Sequence, residues 1–180
     1  MQLLDSETRY GAISRLLHWA LAALILWQFL GMGLKLLFGR NGFTGFFVGT
    51  HQSVGFVIFL LVVLRVAWAI LSRKRRPSHG EGALGKAAAA GHGVLYLLML
   101  AIPTLALLRA WGGTRGFAPF GTQIFAPREA ELAWATAPGN LVHGELGWVM
   151  AVVIAGHIAM VALHEGLWRD GTLRRMAGRG

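Results

Sequence analysis

Apolar residues gather in four long runs, 16–38, 48–71, 87–108 and 141–163, with charge, glycine and proline concentrated between them. Each run is long enough to cross a hydrocarbon core of roughly 30 Å, which takes about 20 mainly apolar residues in a helix. With their flanking turns they predict four transmembrane helices, 14–38, 47–72, 86–109 and 140–168, in one domain, 1–180. The fold class is all-α, an up-down-up-down four-helix bundle. The first run is too long for a signal peptide and lacks an export layout, so it is read as a permanent span. Ser14 is predicted to cap the first helix. Pro103 is predicted to kink the third, where neighbouring helices re-satisfy the freed carbonyl. The short, glycine-rich link 39–49 makes the first two helices antiparallel neighbours, and the link 72–85 is basic and turn-rich. The longest connection, 111–139, carries many aromatics and prolines. It is predicted as an aromatic cap that also covers or shapes a binding surface.

Composition fits this picture: 55% of the residues are hydrophobic and only 14% charged, too apolar for a soluble domain of 180 residues. The net charge of +9 raises nucleic acid as a partner, but the cations sort by connection. Arg9, Arg15, Arg73, Lys74, Arg75, Arg76, Lys86, Arg169, Arg174, Arg175 and Arg179 share one side, and Lys35, Arg40, Arg109, Arg115 and Arg128 lie toward the other. Positive residues favour the cytoplasmic side, so both termini are predicted to be cytoplasmic. The charge is then topological, the partner is membrane lipid, and no nucleic acid is expected. Cysteine is absent, which excludes disulfides, iron–sulfur clusters, thiolate metal sites and covalent haem attachment. Any metal chemistry must use His, Met or oxygen ligands.

Histidines at membrane depth are costly and usually have a partner or a task. His143 and His157 are fourteen residues apart, which places them within roughly 40° on one helix face and about 21 Å apart along it. That is too far for a catalytic pair or one mononuclear metal, but it suits two stacked prosthetic groups. Sorted by depth, His51 pairs with His143 near the outer side, and His18 pairs with His157 near the inner side. Bis-imidazole ligation of haem b fits a four-helix bundle in lipid. His92, between Gly91 and Gly93, is an alternative inner ligand whose glycines would let a flat cofactor approach the backbone. His164 lies still deeper on nearly the same face as His143, about 31 Å along the helix from it, which disfavours it as a ligand. His79 belongs to the polar link and is expected to be solvent exposed. Arg65, fourteen residues after His51, is either a snorkelling cation or a partner for an inner haem propionate.

The ordered motifs RLLHW at 15–19, THQSVG at 50–55, GHGVLYLLMLAIP at 91–103, FAPFG at 117–121 and HEGLWRDGTLRRM at 164–176, with the His143/His157 spacing, resemble the bacterial cytochrome b561 family over nearly the whole chain. The resemblance implies a bacterial inner (plasma) membrane protein holding two non-covalent haems b on His18, His51, His143 and His157. It is closest to the superoxide oxidase members, which pass electrons from superoxide at the periplasmic face to ubiquinone. It also implies a quinone site near His164, with Trp168 and Arg169 as neighbours. Glu165 stands where a relative carries another histidine and is a second candidate proton donor.

The expected mechanism is therefore superoxide:quinone oxidoreduction. Lys35, Arg40, Arg115 and Arg128 would steer the anion electrostatically, partly offset by Glu129 and Glu131. His164 suits the proton-coupled step at quinone, because an unperturbed imidazole in general changes charge at about pH 6.5. The rival reading is a cytochrome b subunit linking a periplasmic redox protein, hydrogenase-like or formate-dehydrogenase-like, to the quinone pool. A further alternative is a haem-storing or haem-relaying membrane protein.

Overall fold

The computed structural model describes residues 2–78 and 80–178; His79 and Arg179, assigned above to the polar segments, lie outside the described residues. Five α-helices follow in order: α1 (Ala12–Phe38), α2 (Gly42–Leu71), α3 (Gly82–Gly112), α4 (Ala133–Leu163) and the short α5 (Thr172–Ala177). The first four are long and apolar enough to cross a membrane, and no strand forms among the described residues. Helices are what an apolar chain can form in lipid, because each satisfies its backbone polar groups internally.

α1 packs on α2 and α3 on α4, while α2 and α3 join the two hairpins and contact between α1 and α4 is sparse. The termini and the 72–81 connection share one end of the bundle, called here the basic end; residues 39–41 and 113–132 close the other, the loop end. Few apolar side chains are buried among the described residues, and the contiguous group is Leu21 and Ile25 of α1 against Ile58 and Val62 of α2. Large apolar side chains such as Leu71, Leu37 and Val152 stand 72–80% exposed, the surface of a protein solvated by lipid rather than water.

Glycines set the closest helix approaches. A Cβ at Gly31 would lie 2.9 Å from the Phe47 Cβ, joining α1 to α2. At Gly112 it would lie 2.6 Å from the Ala135 Cβ, and at Gly139 2.8 Å from the Leu105 carbonyl oxygen. These contacts hold α3 and α4 together at the loop end, as small residues do in membrane helix pairs.

Three expectations are corrected. Ser14 does not cap α1: the N-cap is Gly11, and Ser14 is buried inside the first turn, donating its hydroxyl to Asp5 at 2.7 Å. α2 begins at Gly42 rather than 47, because Asn41 and Thr44 form a reciprocal capping box, each side chain accepting the other's backbone N–H at 3.0 Å. The lipid-crossing run gives only the part of the helix that lies in lipid, and the cap extends it beyond. α4 likewise begins at Ala133 and runs through Pro138. An interior proline costs a helix about 3 kcal/mol, but here Ala135 and Gly139 are pressed onto α3. The connection accordingly shortens to 113–132. α3 is one helix across Pro103.

Candidate redox-cofactor site

α4 supplies the site's spine. Among the described residues none from 140 to 163 is buried, yet His143 and His157 on this stretch each meet an imidazole from another helix. Toward the loop end, His143 faces His51 of α2 with ring centres 6.1 Å apart and planes at 78°. Toward the basic end, His157 faces His18 of α1 at 6.4 Å and 68°. The rings thus bridge α1 to α4 where backbone contact is sparse. His92 of α3 also meets His157, at 5.4 Å and 78°, so three imidazoles gather at the basic end and two at the loop end. Gly91 and Gly93 have open space where a Cβ would stand.

A metal held between two imidazoles sits about 2 Å from each nitrogen, and about 1 Å more separates each nitrogen from its ring centre, so a coaxial pair needs about 6 Å between centres. His51/His143 and His18/His157 match this separation. His92/His157 is shorter than it requires. Among the described residues no group of three or more His, Cys, Asp or Glu could hold a metal ion, so the candidate centres are two-imidazole sites. Axial ligation by two protein groups is what a haem iron takes, its other positions being filled by the macrocycle.

The surroundings of the rings agree. Metal-ligating histidines usually donate their second N–H to a carbonyl or carboxylate. His143 Nδ1 lies 3.3 Å from the Ile102 carbonyl oxygen, and His92 Nδ1 lies 2.7 Å from that of Ala88. His51 Nδ1 departs from this pattern: it is buried with no hydrogen-bond partner, which costs about 1–3 kcal/mol. Gln28 fixes the same turn of α2 by donating to the His51 carbonyl at 2.9 Å.

Arg65 is a buried cation, 8% exposed. It donates to the Ser14 carbonyl at 2.9 Å, its Nη2 lies 3.5 Å from His18 Nδ1, and its guanidinium stands 5.8 Å from the Tyr96 ring centre. No carboxylate pairs with it among the described residues. A buried charge is costly without a counter-charge, so the donor set fits a group that brings its own carboxylate to His18 and Arg65.

Asp5, which the sequence reading did not single out, secures this end. It is buried and accepts from Gly11 N–H at 2.8 Å, the Ser14 hydroxyl at 2.7 Å and Arg76 Nε at 3.1 Å. Trp68 Nε1 donates to the same Ser14 hydroxyl at 2.9 Å. The N-terminal segment is thereby tied to both ends of the α1/α2 hairpin's polar mouth, beside Arg65. Tyr10, in the same segment, has its phenol pKa raised, chiefly by burial against the lowering field of Arg76.

At the loop end, Lys35 lies in the last turn of α1 and Arg109 in the last turn of α3, the end of the bundle that holds His51 and His143. Arg40 and Arg115 are exposed. Arg128 is engaged: Nε donates to the Trp111 carbonyl at 2.7 Å and the guanidinium stacks 4.4 Å over the Trp111 ring. Glu131 accepts from the Thr136 hydroxyl, and Glu129 is exposed. The FAPFG segment lies down on α2, with Phe120 N–H donating to Ser53 at 3.1 Å and Phe117 edge-on to Phe56.

Past Leu163 the helix widens into one π-turn, His164–Trp168. His164 meets the Trp168 ring at 4.6 Å, and its Nδ1 pairs with Asp170 at 2.5 Å. Glu165 and Trp19 line a shallow cleft there with Leu173, Arg174 and Ala177. Trp168 and Arg169 are exposed.

A four-helix membrane bundle with paired imidazoles at two depths is the architecture of a membrane cytochrome b. The family model described as prokaryotic cytochrome b561 matches residues 9–179, and the chain belongs to that family: a membrane cytochrome b in electron transfer, for which the family implies haem b. Two similar proteins are cytochrome b561 homolog 2 of Escherichia coli (strain K12), 29% identical over 99% of this chain and 96% of that one, and cytochrome b562 of Cereibacter sphaeroides, 27% identical over 96% and 98%.

Proposed function

We infer that this protein is a dihaem superoxide:ubiquinone oxidoreductase of the bacterial inner membrane, with both termini cytoplasmic. The observation that carries the dihaem reading is the pair of imidazole sites at two depths on α4, with ring centres 6.1 Å and 6.4 Å apart. His51 and His143 would hold one haem b toward the periplasm, and His18 and His157 the other toward the cytoplasm, with Arg65 for a propionate. When bound, the haems supply one-electron transfer between the two faces. His92, whose ring stands 5.4 Å from that of His157, is the alternative partner at the cytoplasmic site.

The chain's own residues supply the rest. Lys35 and Arg109 beside the periplasmic site, with exposed Arg40 and Arg115, draw in superoxide; such steering raises encounter rates and fades with salt. Arg128 is spent on Trp111, so its share is small. At the cytoplasmic face His164, Trp168 and Arg169 form the quinone site, with Glu165 as a second proton donor. The basic cluster of the 72–81 connection and the α5 tail supports the topology by the positive-inside rule.

Stopped-flow spectroscopy of the haem-loaded chain tests the reading. Fast haem reduction by superoxide, with reoxidation only when a ubiquinone analogue is added, is the expected result. Slow reduction with intact bis-imidazole spectra overturns it in favour of a subunit fed by a periplasmic redox protein.

A further inference from the structure

The turn after α4 is built around His164. Its carbonyl accepts from Arg169 N–H and from Asp170 N–H at 3.4 Å, a reversal that requires Arg169 in the left-handed region at φ 50. The reversal brings the Asp170 carboxylate onto His164 Nδ1 at 2.5 Å. The other carboxylate oxygen accepts from Thr172 N–H at 3.0 Å and from the Thr172 hydroxyl at 2.7 Å. Thr172 begins α5, which is docked on α1 by Trp19 Nε1 donating to the Met176 carbonyl at 3.2 Å. Asp170 is therefore held by three hydrogen bonds, one with His164 and two from Thr172.

No other imidazole among the described residues forms an ion pair with a carboxylate. His92 and His143 have backbone carbonyls at Nδ1, and His18 has a guanidinium there. The His164 side chain is 27% exposed and that of Asp170 40%, so solvent reaches the pair. A carboxylate on Nδ1 fixes the proton there and leaves Nε2 as the nitrogen that exchanges protons.

We propose that Asp170 is the positioning residue that makes His164 a proton donor to the bound quinone through Nε2. The proposal rests on the placement of quinone at His164 given above. Ubiquinone becomes ubiquinol by gaining two electrons and two protons, and two superoxide anions, each oxidised to dioxygen, supply the electrons. A proton passes from His164 Nε2 to a quinone oxygen, leaving a neutral imidazole whose Nδ1 proton stays hydrogen bonded to Asp170. A proton taken up from the solution at the membrane surface restores Nε2–H, and the step repeats for the second oxygen, so that two solvent protons are consumed per quinol.

The test uses the haem-loaded full chain with His164→Gln, Asp170→Ala and Asp170→Asn. Two readouts are followed: the rate at which a short-tailed ubiquinone analogue reoxidises the reduced haems, and the 15N imidazole signals of His164, assigned by their loss in His164→Gln. The expected result is that His164→Gln slows reoxidation by about 100-fold, the usual scale of a lost general acid. Asp170→Ala should abolish the Nδ1–H tautomer and slow reoxidation at least tenfold. Asp170→Asn keeps an acceptor oxygen, so it should keep the tautomer and fall between. Full-rate reoxidation in Asp170→Ala while His164→Gln is slow, or an unchanged tautomer in Asp170→Ala, overturns the role of Asp170 and leaves the quinone site standing. Full-rate reoxidation in His164→Gln overturns both. Should Asp170→Ala lose its haem spectrum, Asp170→Asn decides, a wild-type rate there counting against the carboxylate.

Discussion

The two ends of the bundle hold their imidazoles by different means. At the basic end a buried polar network does it: Asp5, Ser14, Trp68, Arg76 and Arg65 are hydrogen bonded in series up to His18. At the loop end close helix packing does it, with Gly112 and Gly139 pressed on α4 and α3 and the FAPFG segment laid on α2. A polar network tolerates no missing member, because each leaves a buried partner unsatisfied. A small-residue interface is instead damaged by added atoms. The basic end should therefore respond to deletions and the loop end to insertions.

The largest expected effect breaks the symmetry between the sites. His157→Ala removes the imidazole shared by His18 and His92 and should halve the haem content measured by pyridine haemochromogen; His143→Ala should halve it from the other site. Retention of both haems in His18→Ala, with loss in His92→Ala, would reassign the basic-end ligand to His92.

Next comes Asp5→Ala, which leaves the Ser14 hydroxyl without its acceptor and Arg76 without its counter-charge, with only the Ser72 hydroxyl still at 3.0 Å from Nε. Removing one partner of such a pair costs about 3–5 kcal/mol when fully buried; with Arg76 partly exposed, 17% against 0% for Asp5, the lower part of that range is expected. A thermal scan following haem absorbance should show a large fall in midpoint, and Gly139→Ala should show a comparable fall by crowding Arg109 and Leu105. Equal tolerance of both changes would erase the contrast between the ends.

Arg65→Leu sharpens the comparison at a smaller scale. Loss of the cation beside His18 should lower the potential of one haem by about 60 mV, a tenfold change for one electron, and leave the other unmoved in a redox titration.

The smallest effect is in acid. Asp170 has its carboxyl pKa lowered from 3.8 to about 2, first by the Thr172 hydroxyl and then by His164. A lowered carboxyl stabilises the folded turn above its unfolded pKa, and that support is lost as pH falls from about 4 toward 2. The turn at α5 should thus loosen only in that window. The 15N signals of His164 across it report the change, and loosening at pH 5 would count against the Asp170 contacts.

The sequence was most legible where one physical demand dominates. Apolar runs long enough for lipid fixed the existence and order of the four spanning helices, and the fourteen-residue spacing put His143 and His157 on one face of α4. The pairing of depths His51/His143 and His18/His157 was also readable, because antiparallel helices set depth by residue count. Helix ends were less legible: the Asn41/Thr44 box was present in the sequence, but lipid thickness says nothing about turns that project beyond it.

Other features needed the chain brought together. Asp5 gives no local signal, since its burial depends on Ser14 and Arg76 arriving from α1 and from beyond α2. Asp170 gave a weak one, an Asp-Gly-Thr turn six residues after His164, but only the π-turn and left-handed Arg169 carry its carboxylate to Nδ1. Similarly, Arg128 reads as a free surface cation until the loop folds it onto Trp111. Periodicity and span length are properties of the local chain and survive in the sequence. Which donor meets which acceptor is decided by tertiary contact, because buried polar groups must be satisfied by whatever partners the fold brings within reach.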